Sequence, residues 1–174
     1  MRKSVRSLPL ARATQSIGNE MSDRPRLTSI AGVEEHTALN QLYLRLGYHA
    51  GIADDDVVYV ARVDGDPVGL VRRARVCDVV MLRGMHIAPA YQRQGVGSRL
   101  LRAFAADLPP ADCYCIPFAH LTRFYAQVGF AAIDESDAPE CLREHVARYR
   151  AEGHSVLLMR RDPEPRAGAE RETI

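Results

Sequence analysis

The sequence contains no apolar stretch approaching the roughly 18 residues needed to cross a bilayer. It has almost no net charge either, since 23 Lys and Arg stand against 22 Asp and Glu, a formal charge of +1. No global field exists to gather nucleic acid or an anionic membrane, so any anion site must be local. The basic cluster among the first twenty residues has no aromatic platform beside it, which argues against a nucleic-acid partner. The four cysteines, Cys77, Cys113, Cys115 and Cys141, include no C-x-x-C pair. A chain of 174 residues with 47% hydrophobic content can build a core without disulfide staples, so all four are read as thiols in a reducing, cytoplasmic setting. Cys141 and His145 are spaced to share a helix face, and Cys113 and Cys115 a strand face, but buried thiols are favoured over a metal site and no metal is expected.

Linkers, internal repeats and low-complexity runs are also missing, which predicts one domain over residues 25–162. The first twenty residues are basic, with neither an apolar signal core nor a helical stripe, so residues 1–24 are expected to be a disordered leader, the alternative being that the true start is Met21. Residues 163–174, rich in Pro, Gly and charge, are expected to be a loose tail.

Between these ends the pattern is of mixed α and β type. "RLTSI" alternates as a strand, and "EEHTALNQLYLRLGYHAG" places Leu39, Leu42, Tyr43 and Leu46 on one helical face, with Gly47 suited to a left-handed cap. Two β-rich runs flank Asp64-Gly65, a tight-hairpin signal. "DVVMLRGMHIAP" reads as a further strand ended by Pro89. Leu100, Leu101, Phe104 and Leu108 then stripe a helix that Pro109-Pro110 terminates. "CYCIPF" reads as a strand, "HLTRFYAQV" as a helix, "GFAAID" as a strand, "APECLREHVARYRAEG" as a helix and "HSVLLMRR" as a last strand. The order predicts an antiparallel early sheet and a parallel pairing in the middle.

The most informative stretch is "AYQRQGVGSRLL", where Gly95 and Gly97 lie between a strand and a helix. The first amides of a helix have no intrahelical partner and the dipole there is positive, so such a turn suits a phosphate. A dinucleotide fingerprint needs a third glycine where this chain has Leu100, and an acidic residue where it has Cys115. A P-loop needs Gly-Lys followed by Ser or Thr, which is also missing.

"HIAPAYQRQGVGSRLL" instead resembles the acyl-CoA signature of the GNAT superfamily of N-acetyltransferases, through Gln92, Arg93, Gln94, Gly95, Val96 and Gly97. "RFYAQVGF", residues 123–130, resembles the family's downstream aromatic-Tyr and Gly-Phe segment. The resemblance implies a mixed, mostly antiparallel sheet with a central splayed parallel strand pair, flanked by helices. It implies a bulge on the strand ending near Ile87, and a slot beside "CYCIPF" for the pantetheine arm of acetyl-CoA. Met85, His86 and Ile87 would contact that arm through main chain, and the amides from Gln92 to Ser98 would meet the pyrophosphate, with Arg93 near its charge. Tyr125 falls at the family's general-acid position.

Two departures from the family pattern follow. Arg83 stands where many members carry a Glu or His base, and an arginine cannot accept the proton. His86 is a candidate base, expected on the opposite face unless the bulge turns it. A water route to Glu34, Glu35 or His36, or an amine that binds already neutral, are the alternatives. Phe118 replaces an Asn that many members use to hold pantetheine, so apolar and main-chain contact is expected there. Asp54, Asp55 and Asp56 favour a cationic acceptor, whereas Arg73, Arg75 and Arg83 favour one with a carboxylate or phosphate, and no acceptor is named. The expected activity is direct transfer of acetyl from acetyl-CoA to a primary amine of a small molecule or peptide. A catalytically weak acyl-CoA-binding regulatory module is the alternative. The family also suggests a homodimer, with "HSVLLMRR" as an available sheet edge.

Overall fold

A computed structural model describes residues 26–163, so the expected leader at 1–24 and the tail beyond residue 163 lie outside the described residues. The elements run β1 (Arg26–Ile30), α1 (His36–Arg45), β2 (Val57–Val63), β3 (Asp66–Val76), β4 (Val79–Ile87), α2 (Val96–Ala106), β5 (Cys113–Cys115), α3 (Thr122–Ala126), β6 (Ala131–Ala132), α4 (Glu140–Ala151) and β7 (Met159–Arg161). The local signals explain most of them. Asp64 and Gly65 both take positive φ, 54° and 89°, which closes the β2–β3 hairpin with the right twist. Gly47 ends α1 at φ 78°, and the Tyr48 amide reaches back to the Tyr43 carbonyl at 2.9 Å.

The seven strands lie in the order β1-β2-β3-β4-β5-β7-β6 and are antiparallel except for β4 and β5. This is the mixed sheet with a central parallel pair that the sequence predicts. β7 lies between β5 and β6, so the expectation that "HSVLLMRR" offers a free edge is wrong. The strand is also shorter than predicted, because Val156 makes only an isolated bridge to Phe118 before the ladder begins at Met159.

Alternation along the strands sorts the core into two faces. Tyr59, Val71 and Leu82 face one side, where α2 buries Val96, Leu100, Leu101 and Phe104 against them. Burying four such side chains contributes roughly 1.5–3 kcal/mol each, enough to fix the start of α2 relative to the sheet. Val58, Val60 and Leu70 point the other way into α1, and Met81 and Tyr114 into α4.

The reading of four thiols fails for one pair. Cys77 and Cys141 form a disulfide across 64 residues of sequence. Cys77 and Asp78 make the two-residue β3–β4 turn at φ 53° and 63°. That turn sits over the first turn of α4 and brings the two Cα atoms within 6.4 Å, inside bridging range. Cys113 and Cys115 are buried free thiols as predicted, and burial pushes Cys113 up to about 12.

Candidate active site

β4 and β5 pair only at Val80 with Cys113 and at Met81 with Tyr114. Past Met81 the two strands part. At the same place β4 gains a residue relative to β3, since Leu70 pairs with His86 and Arg72 with Arg83, leaving Val71 opposite both Gly84 and Met85. Gly84 takes φ 62°, and a Cβ there would lie 2.5 Å from the Tyr43 hydroxyl oxygen, which itself donates to the Gly84 carbonyl at 2.7 Å. One extra residue inverts the alternation beyond it. Met85 and Ile87 therefore pack with the α2 core, while His86 shares the face of Arg83. The bulge turns the histidine in the way that sequence alternation alone does not give.

The gap between the parted strands opens into a cavity of about 420 Å³. Arg83, Gly84, Met85 and His86 form one wall, and Cys115, Ile116, Pro117 and Phe118 the other. Tyr125 and Leu121 close one end, while Tyr48, His145, Tyr149 and His154 surround the rest. Four of the predicted site residues, Met85, His86, Phe118 and Tyr125, thus meet here. Glu34, Glu35 and His36 do not, and Glu35 is paired with Arg62. Tyr48, Tyr149 and His154 are cavity residues that the sequence reading missed, and His145 is there for a reason other than the metal pairing its spacing suggests, since Cys141 is bonded to Cys77. The signal was available in part, because His145 and Tyr149 are four apart on α4 and so share a face.

The His86 ring lies 4.8 Å from that of Tyr48 and 5.9 Å from that of Tyr43. Burial holds its pKa below the ordinary imidazole range, against a smaller opposing effect of the Gly84 carbonyl. Its Nδ1 is buried without a hydrogen-bond partner among the described residues. A neutral imidazole with an unengaged nitrogen is chemically a proton acceptor. Tyr48 is set in place by a buried ion pair between Arg72 and Asp56, since the second Arg72 nitrogen donates to the Tyr48 hydroxyl at 3.1 Å. Tyr125 stands near the end of α3, wedged edge-to-face between Phe124 at 5.1 Å and Phe130 at 6.3 Å. Burial, and secondarily Cys115, push its phenol well above the usual range, so it stays protonated and can donate.

The glycine loop stands at the start of α2 rather than in the cavity itself. Gly95 is the helix cap at φ 77° and Arg93 precedes it at φ 57°. No side chain caps the helix, which leaves the first-turn amides for an external acceptor. A Cβ at Gly97 would sit 3.4 Å from Phe124 and 3.6 Å from Ile87, so this glycine seats the helix tip against the end of β4 and against α3, which carries Tyr125. The Gln92 side chain donates to the Ile87 carbonyl at 2.9 Å, engaging one of the main-chain groups expected to serve the cofactor. The donor set therefore fits an acyl-CoA in outline, with amides for the diphosphate and a slot between strands for the arm.

Comparison with known proteins points the same way. Residues 54–132 match the family model described as an acetyltransferase (GNAT) domain. The ribosomal-protein-S18-alanine N-acetyltransferase from Escherichia coli superposes with a TM-score of 0.61 at 17% identity, covering 86% of this chain and 100% of that one. N-acetylglutamate synthase from Neisseria gonorrhoeae, complexed with coenzyme A and N-acetyl-glutamate, gives 0.55 at 18% identity over 80% of this chain. This chain spans only 36% of that enzyme's length. A GNAT-family acetyltransferase from Staphylococcus aureus Mu50 gives 0.53 at 14% identity, covering 79% of this chain and 98% of that one. At these identities the structural likeness is one of fold. The chain thus has a GNAT-like fold, and the stretch that resembles the GNAT acetyltransferase domain runs from the loop before β2 to β6 and takes in the bulge, the glycine loop and Tyr125.

Proposed function

We propose that the chain is an N-acetyltransferase that moves an acetyl group from acetyl-CoA directly to a primary amine of a small molecule or peptide. The observation that carries this is the parting of β4 from β5 beside a bulge, with an uncapped helix start at one end and a protonated phenol and a neutral imidazole in the cavity. Acetyl-CoA supplies the activated acyl carbon when bound. The amides from Gln92 to Ser98 hold its diphosphate at the α2 tip, and the exposed Arg93 adds charge nearby. Main-chain groups of Met85, His86 and Ile87 and the ring of Phe118 line the path of the arm.

An amine attacks only when neutral, and His86 accepts its proton. Tyr125 returns a proton to the departing sulfur through its hydroxyl. Each role matches the protonation state that burial enforces on the group. Domain bounds of 25–162 include every residue invoked.

Thiol release from acetyl-CoA in the presence of an amine panel tests the reading, with Tyr125→Phe beside the parent protein. The variant should lose roughly 10²-fold or more in kcat while its acetyl-CoA affinity stays within a few fold. Equal losses in both would remove the general-acid role, and saturable binding without turnover across a broad panel would favour the alternative of an acyl-CoA-binding regulatory module.

A further inference from the structure

We infer that the acceptor amine carries an anionic group, a carboxylate or a phosphate, and that Arg83 holds it; this rests on reading the cavity as the acceptor site of the acetyltransferase. The ionisable side chains around the cavity are one-sided. Arg83 is the one permanent charge among the lining residues, His86, His145 and His154 line it as well, and among the described residues no Asp or Glu does. The other arginines of this sheet region are satisfied. Arg72 is paired with Asp56, Arg73 with Asp107 at 3.0 Å, and Arg75 contacts Asp78. Arg83 has no ion-pair or hydrogen-bond partner among the described residues.

Its position makes this costly. Arg83 sits directly across the ladder from Arg72, and like charges opposite one another destabilise a sheet. Arg72 is neutralised by a buried carboxylate and Arg83 is not. Across the cavity it faces His145 on α4, whose own pKa is lowered by burial, by Arg148 and by Arg83, with exposed Glu144 opposing. A half-buried guanidinium facing a half-buried imidazole, with no carboxylate on the wall, is a site short of one negative charge.

The structure also decides between the two opposed hints in the sequence. Of the three aspartates that would attract a cation, Asp56 is consumed by Arg72, and the exposed Asp54 and Asp55 lie outside the cavity lining. Of the three arginines that would attract an anion, only Arg83 reaches the cavity.

Geometry limits the size of the acceptor. The bulge puts Arg83 and His86 on one face, one bulged pleat apart, roughly 7 Å along the strand. An anion on the guanidinium therefore delivers an amine to the imidazole when only a few bonds separate the two groups. Small amino acids and phosphoamines have that span, whereas a polyamine brings positive charge to a positive wall.

Calorimetric titration of the CoA-saturated protein tests this, with glycine, 4-aminobutyrate and O-phosphoethanolamine as anionic amines, ethanolamine as the neutral one and putrescine as the dication. Thiol release from acetyl-CoA with the same panel is read in parallel. At least one anionic amine should bind roughly 10- to 100-fold more tightly than ethanolamine. That advantage should vanish in Arg83→Gln and return in part in Arg83→Lys, with circular dichroism melting showing that both fold. The carboxylate and phosphate arms distinguish the two sources of charge. Equal binding of ethanolamine, preference for putrescine, or an anion preference that survives Arg83→Gln would overturn the inference. Turnover of ethanolamine or putrescine alone would sink it while leaving the acetyltransferase reading intact. Arg83-dependent anion binding with no thiol released from any amine would do the reverse.

Discussion

Replacing Gly84 with alanine should damage stability and activity together. The residue holds φ 62°, where an L-residue costs about 1–2 kcal/mol relative to glycine. The added Cβ would lie 2.5 Å from the Tyr43 hydroxyl oxygen and 3.0 Å from its ring carbon. Tyr43 is 1% exposed and packed 4.7 Å from the Tyr48 ring, so it cannot withdraw freely. Losing its bond to the Gly84 carbonyl leaves a buried polar group unsatisfied, at about 1–3 kcal/mol. The sum is about 2–5 kcal/mol, a large share of the roughly 5–15 kcal/mol that holds a typical domain folded. Urea denaturation followed by circular dichroism measures it. Tyr43→Phe removes the bond without crowding and should cost only about 1 kcal/mol, separating the two contributions. Because the bulge decides which face residue 86 occupies, kcat/KM in Gly84→Ala should fall in whatever fraction remains folded. A loss under about 0.5 kcal/mol with parental kcat/KM would refute the reasoning.

Burial favours the neutral form of His86, so its folded pKa lies below that of the unfolded chain, and between the two values the unfolded state binds more protons. This contribution to stability is therefore complete above the ordinary imidazole value of about 6.5 and lost as pH falls below it. The kcat profile at saturating amine should likewise hold through that value and drop only below it, and His86→Gln should abolish that limb; a limb at or above the ordinary value, or one that survives the substitution, contradicts the base assignment. Cys77→Ser should lower stability by roughly 4 kcal/mol on the chain-entropy estimate for a 64-residue separation. Thiol titration of the denatured, unreduced protein should find two free cysteines, and four would contradict the bond.

The parts of the fold that the sequence makes legible are those written in local chemistry. Asp64-Gly65 marks a hairpin and Gly47 a helix end, because positive φ there selects those residues. The Cys77-Asp78 turn takes positive φ without glycine, so the sequence separates the strand beginning at "DVVML" from the one before it but carries no signal for the tight turn that joins them. The disulfide and the interior place of β7 depend on pairings between residues far apart in the chain, which no local pattern carries. At the candidate site the glycine loop and Tyr125 are legible as motifs. The face of His86 is not, because one inserted residue at Gly84 inverts a period of two. The isolation of Arg83 is hidden for a different reason: Arg72, Arg73, Arg75 and Arg83 look alike in sequence, and only the partners supplied by Asp56, Asp107 and Asp78 set them apart.

The central claim is that the uncapped start of α2 and the gap between β4 and β5 together form an acyl-CoA site. Titration calorimetry of acetyl-CoA into the purified protein tests it most directly. A saturable one-site isotherm, weakened by Gly95→Val, which forces a β-branched residue into a left-handed position at the helix cap, is the predicted result. Absence of any binding heat from folded protein across a range of temperatures would contradict it.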